Sequence, residues 1–429
     1  MDQGTERATA ERRGGAIGTN WAGNYAYGAA ALVRARSVEE VRDVVAKSTA
    51  VRPIGSRHSF SDLPDTTGTL LDLADLPADI SVDPAAATVS VSGGVRYGDL
   101  AVALEEQGWA LGAMASLPHI SVAGAVATGT HGSGDRTPSL SAAVRSLEIV
   151  GPGGALRRLT REHPDFAGSV VGLGALGVVT RLELEVEPTY QVSQEVRTGL
   201  SWAVLEDHFD AVTAAAHSVS LFTLFQDGVD QVWLKWRTAT GVPPADRFGT
   251  VVAQETMHML GGGSRAAVTA QGGVPGAWLD RLPHFRMAFT PSNGAELQSE
   301  YLVPREHALE AIGALRRMAS RFRPLLQVAE IRTIAADELW LSGAYRCGAV
   351  GLHFTWVRDE EAVRRALREM EEAVAPLGAR PHWGKVFEMD AGALADAFPR
   401  LRDFAALRDR VDPDRVFGNA FLDRVLGEG

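Results

Sequence analysis

Two loops of small residues limit the folds open to this chain, because each lets the backbone come close to a ligand. The first, RPIGSRHSF, sets Gly55, Ser56 and Ser59 around a single histidine, His58. The second covers residues 117–134 and is rich in glycine, alanine, serine and threonine, with little bulk. Small residues let backbone N–H groups approach an anion, and serine hydroxyls add donors. Both loops therefore predict a site for a phosphate-bearing cofactor.

Length and composition narrow the class of protein. A chain of 429 residues exceeds what one hydrophobic core usually supports, so we expect two domains. The formal net charge of −11 argues against nucleic acid or an anionic membrane as a partner. Cys347 is the only cysteine, which excludes an intramolecular disulfide and a cysteine zinc site. Residues 1–15 carry no apolar signal core and no stretch reaches membrane-spanning length, so we expect a cytoplasmic protein.

The first third of the chain alternates strands with helices. Residues 30–34 are predicted to form a strand, and residues 37–47 a helix with Ser37 as N-cap and a glutamate three residues on. Residues 88–92 alternate as a half-buried strand, and residues 97–107 have helical spacing closed by a glycine. This alternation is an α/β layout.

The glycine run GLGALG at residues 172–177 matches the GxGxxG fingerprint of Rossmann domains. That fingerprint requires a strand before it and a helix opening out of it. Here the following residues alternate strictly from Thr180 and predict a strand. The sequence context therefore argues against a Rossmann domain.

Pro188 marks a predicted domain boundary. The segment that follows, residues 191–379, contains tryptophan-rich strands and an irregular Gly/Pro/Ala-rich stretch at 241–276. Two amphipathic helices are predicted at 306–321 and 360–375. This change of texture predicts a second domain.

Polar side chains on otherwise apolar strands indicate where chemistry takes place. Strand spacing places Glu330 and Arg332 on one face, and His353 and Thr355 on one face of a second strand. A surface ion pair is the alternative for the first two residues, although a buried pair is costly unless it is used. Lys385 follows an aromatic turn, and a solvated lysine is the alternative there.

The order of several motifs carries a resemblance to a known family. PIGSRHSF, ASLPHISVAGAVATGTHGSG, GALGVVT, EIRT, HFTW, HWGK and FGNAFL follow one another along the chain. In that order they are similar to the motifs of the vanillyl-alcohol oxidase flavoprotein superfamily, and within it to those of the alditol oxidases, over residues 20–426. A match of so many motifs in one order is far more specific than one glycine-rich loop.

The resemblance implies an α+β fold, the two-domain flavoprotein of the vanillyl-alcohol oxidase type. We expect an FAD-binding α+β domain over residues 1–190, with residues 380–429 packing back on it. Residues 191–379 are expected to form the substrate (cap) domain, with a large antiparallel sheet flanked by helices.

The resemblance also assigns roles residue by residue. His58 matches the histidine that carries a covalent bond to the 8α-methyl carbon of the flavin. The expected cofactor contacts are Gly55, Ser56, Arg57, Ser59, Ser116, Ser121, Gly124, Ala125, Thr128, Val178 and His382. The expected substrate contacts are Ser116, Glu330, Arg332, His353, Thr355 and Lys385, of which Lys385, Arg332 and Glu330 are expected to be catalytic. No metal site is expected.

The implied reaction oxidises the terminal primary hydroxyl of a polyol such as xylitol or sorbitol to the aldose, by hydride transfer to flavin N5, with O2 reduced to H2O2. Arg332 would stabilise developing alkoxide character by fixed charge. Lys385 would do so by charge or, if Arg332 lowers its pKa, as a general base. Glu330 would orient Arg332. A polyol, O2 and FAD are therefore the expected partners of a monomeric chain.

Two alternatives remain open. An aldonolactone oxidase or dehydrogenase shares the Glu-x-Arg and His-Trp-x-Lys motifs and differs mainly in substrate and final acceptor. The second alternative is a flavin-binding protein without turnover. Such a protein has no need of the charged cluster of Glu330, Arg332 and Lys385.

Arg57 departs from the family pattern, because relatives often have glycine at that position. Arginine avoids positive φ, so the loop must either take an ordinary backbone conformation or bear strain. Ala115, beside Ser116, is the expected gate for oxygen. His119 and His131 are expected to support the structure or the cofactor, since neither has a partner at metal-ligand spacing.

Overall fold

A computed structural model describes residues 17–241, 248–289 and 296–427 of the chain. Two of its sheets lie in the first half. The first is parallel, in the order β1-β3-β2, and contains β1 (Ala31–Arg34), β2 (Val51–Ile54) and β3 (Thr69–Asp72). The second is antiparallel and contains β4 (Ser81–Asp83), β5 (Thr88–Ser92), β7 (Val144–Val150), β8 (Leu156–Thr160) and β9 (Val178–Glu185), in the order β4-β5-β9-β7-β8.

A third and larger sheet is antiparallel and has nine strands within the described residues. Its strands are β11 (Gln191–Thr198), β13 (Ser218–Thr223), β15 (Gln231–Arg237), β16 (Val251–Val252), β17 (Gly276–Ala277), β18 (Glu296–Pro304), β19 (Leu326–Ile334), β20 (Ala349–Val357) and β21 (Arg380–Pro381). Their order is β16-β11-β15-β13-β19-β20-β18-β21, and β17 pairs with β11. Two short ladders join β6 (Trp109–Ala110) to β10 (Glu187–Pro188) and β12 (Leu200–Ser201) to β14 (Gly228–Val229).

The helices connect and cover these sheets. Over the described ranges they are α1 (Val38–Lys47), α2 (Tyr97–Glu106), α3 (Val122–Ala127), α4 (Phe166–Ser169), α5 (Trp202–Thr213), α6 (Ala308–Phe322), α7 (Glu360–Val374), α8 (Ala391–Ala397), α9 (Leu401–Val411) and α10 (Ala420–Leu426). The cap predicted for α1 is confirmed, because Ser37 Oγ accepts the backbone N–H of Glu40. Gly108, with φ of 78°, follows the end of α2 as predicted.

The two faces of the large sheet differ in character. One face carries Ile331, Leu352 and Phe354, which share a hydrophobic cluster with Phe322 of α6 and Leu367 of α7. The opposite face carries the polar side chains of β18, β19 and β20. The prediction of a large antiparallel sheet flanked by helices is confirmed, and the fold is α+β.

The strand predicted after the glycine run is confirmed. β9 begins at Val178, directly after Gly177, and alternates between buried and partly exposed positions along its length. Gly177 has φ of 132°, and a Cβ there would lie 2.5 Å from the carbonyl oxygen of Val150. Only glycine fits this turn, and no Rossmann helix follows it.

The C-terminal segment contacts the first half of the chain. The side chain of Asn419 donates to the carbonyl oxygens of Leu63 and Asp65. The buried guanidinium of Arg52 donates to the carbonyl oxygens of Leu173 and Phe417, which ties the glycine run to this segment. The domain limits given above stay a prediction. Across the described ranges, none of the helices has the length and apolar character needed to cross a bilayer.

Candidate active site

A cavity of about 660 Å³ lies between the two small-residue loops and the polar face of the large sheet. Its lining comes from the loops, from the glycine run, and from strands β13, β18, β19 and β20. Nearly all of the predicted cofactor residues line it: Gly55, Ser56, Arg57, His58, Ser59, Ser116, Ser121, Gly124, Ala125, Thr128 and His382. Ala115, the expected oxygen gate, also lines it. Both loops from which the cofactor site was predicted therefore line one cavity.

Val178 is the exception among these residues. Its side chain is fully buried in a separate hydrophobic cluster with Val51 and Phe417. Its neighbours Gly177 and Val179 line the cavity instead. Strand alternation explains the difference, because successive side chains point to opposite faces.

The two loops touch each other through their small residues. A Cβ on Gly55 would lie 2.3 Å from Ser121 Oγ, and a Cβ on Gly124 would lie 2.7 Å from the same atom. The backbone N–H of Ser121 donates to Ser56 Oγ over 3.3 Å. Glycine at both positions is therefore required for this close approach.

The ring nitrogens of His58 make no hydrogen bond of normal geometry with the described residues. Both of its ring nitrogens are buried without a hydrogen bond, and its ring stacks on Trp21 with centroids 4.6 Å apart. Burial lowers the pKa of His58 to about 4, so its imidazole is neutral at physiological pH. A neutral ring with a free nitrogen on the cavity wall fits bonding to a group that the chain itself does not supply.

Arg57 takes the strained option of the two that the sequence left open. Its φ is 61°, in the left-handed region that favours glycine. Nη1 donates to the carbonyl oxygen of Ile17, and the guanidinium lies over the Tyr27 ring, 5.6 Å from its centroid. The side chain is thus anchored while the backbone bears a cost of about 1–3 kcal/mol.

At the other end of the cavity, three side chains stand in a row across the large sheet. Glu330 on β19 is directly opposite His353 on β20, which is directly opposite Glu300 on β18. All three are buried. Because residues opposite each other in antiparallel strands share a face, the register alone assembles this row.

Glu300 is the carboxylate on which the two cations meet. Arg332 Nη2 lies 2.8 Å from Glu300 Oε1, and Lys385 Nζ lies 2.7 Å from Glu300 Oε2. His131 Nε2 lies 3.2 Å from Glu300 Oε1. Both predicted cations are therefore paired with Glu300. Arg332 is buried, and Lys385 is partly buried rather than solvated.

That Glu330 orients Arg332 stays a prediction, because the two side chains form an ion pair without a hydrogen bond. Arg332 Nε lies 3.6 Å from Glu330 Oε1, beyond hydrogen-bond distance, whereas Arg332 donates to Glu300. Gly351, opposite Arg332 on β20, explains this, because a Cβ there would lie 3.0 Å from Glu300 Oε1. Without a side chain in between, Arg332 reaches across β20 to Glu300.

The charged groups of this cluster shift one another's pKa values. Burial lowers the pKa of Lys385, Arg332 adds to the effect, and Glu300 works against it. Burial would raise the pKa of Glu300, but Lys385 and Arg332 together bring it well below its usual range. Burial would lower the pKa of Arg332, but Glu330 and Glu300 raise it. The cluster therefore holds an ionised carboxylate, a permanent cation and an amine that gives up its proton more readily than usual.

The remaining predicted substrate residues line the same end of the cavity. Arg332 Nη1 lies 3.4 Å from Ser116 Oγ, which joins the second loop to the large sheet. His353 Nε2 lies 3.2 Å from Gln298 Oε1, and Thr355 follows two residues along β20. All six predicted substrate residues line one cavity.

Three buried residues beside these were missed from the sequence: Glu300, His284 and Lys235. For Glu300 a signal existed, because residues 296–301, ELQSEY, place three polar side chains on one strand face. His284 lies in an irregular segment and bonds Glu330 Oε1 over 2.8 Å. No periodicity marks it.

The fold and the cavity agree with the comparisons below, and together they identify a flavoprotein of the vanillyl-alcohol oxidase type. A model of the FAD binding domain matches residues 29–160, and a model of D-arabinono-1,4-lactone oxidase matches residues 291–425. Alditol oxidase from a Streptomyces species is 49% identical over 414 residues, covering 95% of this chain and 98% of the relative. The chain belongs to the alditol oxidase family of this superfamily.

More distant relatives also match over nearly the full length of both chains. L-gulono-1,4-lactone dehydrogenase of Mycobacterium tuberculosis is 30% identical and covers 96% of this chain and 99% of the relative. Among solved structures, cholesterol oxidase from B. sterolicum has a TM-score of 0.79 at 15% identity, covering 95% of this chain and 96% of that chain. That likeness shows the fold alone.

Proposed function

We propose that this protein is an FAD-dependent alditol oxidase, which converts the terminal primary hydroxyl of a polyol such as xylitol or sorbitol to the aldehyde of an aldose. The observation that carries the proposal is the pair of cations on the buried carboxylate of Glu300, at the end of a cavity suited to a flavin nucleotide. The 49% identity to an alditol oxidase supports this substrate class. FAD held in this cavity would supply the hydride acceptor, and O2 would be the final oxidant and leave as H2O2.

The chain's own residues hold and activate the alcohol. Arg332 places a permanent charge where alkoxide character develops as the hydroxyl proton is lost. Burial and the charge of Arg332 both lower the pKa of Lys385. Lys385 is therefore the group that takes this proton or shares its hydrogen bond. Ser116 and Thr355 supply hydroxyls, and Glu330 supplies a carboxylate, for the other hydroxyls of the polyol.

Residues of both loops and of the glycine run would hold FAD. The small residues Gly55, Ser56, Ser121 and Gly124 line the cavity with backbone and hydroxyl donors suited to phosphate. His58, neutral and unpaired, is proposed as the point of covalent attachment. A cytoplasmic location and a monomeric state remain predictions from the sequence.

The second candidate is an aldonolactone oxidase or dehydrogenase. The match of the D-arabinono-1,4-lactone oxidase model to residues 291–425 favours it. The lactone relatives are more distant, at 30% identity or less. Peroxide release by the purified yellow protein in air, with xylitol or sorbitol in one assay and an aldonolactone in the other, separates the two. We expect peroxide from the polyol, with one aldose formed per peroxide. Peroxide from the lactone alone would establish the second candidate, and flavin bleaching without peroxide would indicate a dehydrogenase.

A further inference from the structure

A buried lysine and a buried histidine extend from Glu330, on the side away from Lys385. The histidine lines the cavity beside Glu330, and the lysine lies behind the histidine. Lys235 on β15 and His284 are 1% and 5% exposed. Lys235 Nζ lies 3.1 Å from His284 Nδ1, and His284 Nε2 lies 2.8 Å from Glu330 Oε1. The three side chains therefore form one hydrogen-bonded chain that ends at the cavity.

The partners of Lys235 fix the direction of this chain. Its Nζ lies 2.6 Å from the carbonyl oxygen of Leu282, 3.0 Å from that of Pro283 and 3.1 Å from His284 Nδ1. Three acceptors match the three N–H groups of an ammonium. Burial lowers the pKa of Lys235 to about 7, and Glu330 works against this. The three acceptors are the geometric reason to assign an ammonium here.

His284 links Lys235 to Glu330, accepting at one ring nitrogen and donating at the other. Burial, aided by the charge of Lys235, lowers the pKa of His284 to about 4, so its ring carries a single proton. Because Nδ1 accepts from Lys235, that proton sits on Nε2 and is donated to Glu330 Oε1. Trp233 and Phe222 pack edge-on against the ring and hold its plane.

Glu330 is thereby held as an acceptor. Burial would raise its pKa, but Arg332 and His284 bring the pKa well below the usual range. Oε1 takes the bond from His284, and among the described residues Oε2 has no protein hydrogen bond. Glu330 lines the cavity, so this second oxygen is available to a hydroxyl that donates to it.

We propose that Lys235 and His284 are positioning residues, which hold the ionised carboxylate of Glu330 in the orientation that accepts a hydrogen bond from a substrate hydroxyl. The inference rests on the proposed polyol reaction. The same segment also positions Ser116, because the backbone N–H groups of His284 and Phe285 donate to the Ser116 carbonyl oxygen over 3.1 and 3.2 Å. One buried lysine therefore supports two of the proposed substrate contacts.

Two substitutions of His284 separate positioning from packing. His284→Phe keeps a ring but removes both nitrogens, whereas His284→Gln keeps one acceptor for Lys235 and one donor for Glu330. We expect His284→Phe to lower the limiting rate of anaerobic flavin reduction by xylitol about 10- to 100-fold, because a displaced contact costs on that order. His284→Gln should recover most of the loss. Flavin content and absorption spectrum should match wild type in both.

Lys235→Met removes the ammonium while keeping the length of the side chain, and should slow flavin reduction to the same extent as His284→Phe. Ser299→Ala is the matched control, because it removes a buried hydrogen bond to Trp356 on the opposite face of the same sheet. It should lower the melting temperature without changing flavin reduction. A wild-type reduction rate in His284→Phe, or equal losses in His284→Phe and His284→Gln, would overturn the proposal.

Failure of the proposed function gives a different result. If wild type reduces its flavin with an aldonolactone and not with xylitol, the polyol reaction is refuted. The His284 series measured with that lactone then still decides whether the chain positions Glu330.

Discussion

At the scale of single residues, the proposed covalent attachment of the flavin depends on His58. Its ring nitrogens make no hydrogen bond of normal geometry within the described ranges, and burial keeps it neutral and therefore nucleophilic. We expect wild-type protein to retain its flavin after acid precipitation, and His58→Ala to release it. Flavin fluorescence of the protein band on a denaturing gel measures this. Trp21→Phe, which keeps a ring against the imidazole, should retain the bond, and release of flavin by wild type would refute covalent attachment through His58.

Arg57 tests backbone strain in the same loop. Its φ of 61° is costly for any residue with a side chain, and glycine removes that cost. Both Arg57→Gly and Arg57→Ala lose the bond to Ile17 and the contact with Tyr27. The glycine variant should therefore be the more stable of the two by about 1 kcal/mol. Chemical denaturation of the two variants gives this difference, and equal stability would mean that the loop relaxes.

At the scale of elements, a buried carboxyl joins α7 to the large sheet. Glu371 Oε1 accepts the hydroxyl of Tyr301 over 2.6 Å and the backbone N–H of Glu388 over 2.8 Å. Burial raises the pKa of Glu371 to about 7, although each of these two hydrogen bonds lowers it. The folded state thus binds this proton more tightly than the unfolded state, so its contribution to stability falls as pH rises from about 4.5 to about 7.

The prediction concerns Glu371→Gln. The amide oxygen keeps both hydrogen bonds and carries no charge at any pH. We expect the variant to match wild type near pH 4.5 and to be more stable above pH 7, by on the order of 1–3 kcal/mol. Unfolding midpoints across this range measure the difference. A constant difference between the two proteins at all pH values would contradict the raised pKa.

The sequence predicted those elements whose pattern is local. β9 and α1 followed from alternation and capping, and both are present. Glu330 and Arg332 share a strand face as expected. The hydrogen bond from Arg332 to Glu300 was not predicted, because it depends on three strands and Gly351 on β20 opens the path between the two side chains. Spacing within one strand carries no information about its neighbours.

At the scale of the whole molecule, the cavity assembles parts that lie far apart in the sequence. His58 and Lys385 line the same cavity, although 327 positions separate them in the printed chain. Resemblance to a family predicted this assembly, and composition and periodicity alone did not. His284 was missed for the same reason, because only the fold brings its irregular segment to Glu330 and Ser116.

The central claim is that the two cations paired with the buried Glu300 activate a polyol hydroxyl. Anaerobic stopped-flow measurement of flavin reduction by xylitol tests it most directly. Lys385→Ala removes one cation and should slow reduction by about 100-fold or more, while the yellow cofactor stays bound. Lys385→Met controls for lost volume and should be equally slow. Rapid reduction in wild type with slow reduction in both variants is the predicted result. Unchanged reduction kinetics in the variants would remove Lys385 from the mechanism and contradict the account.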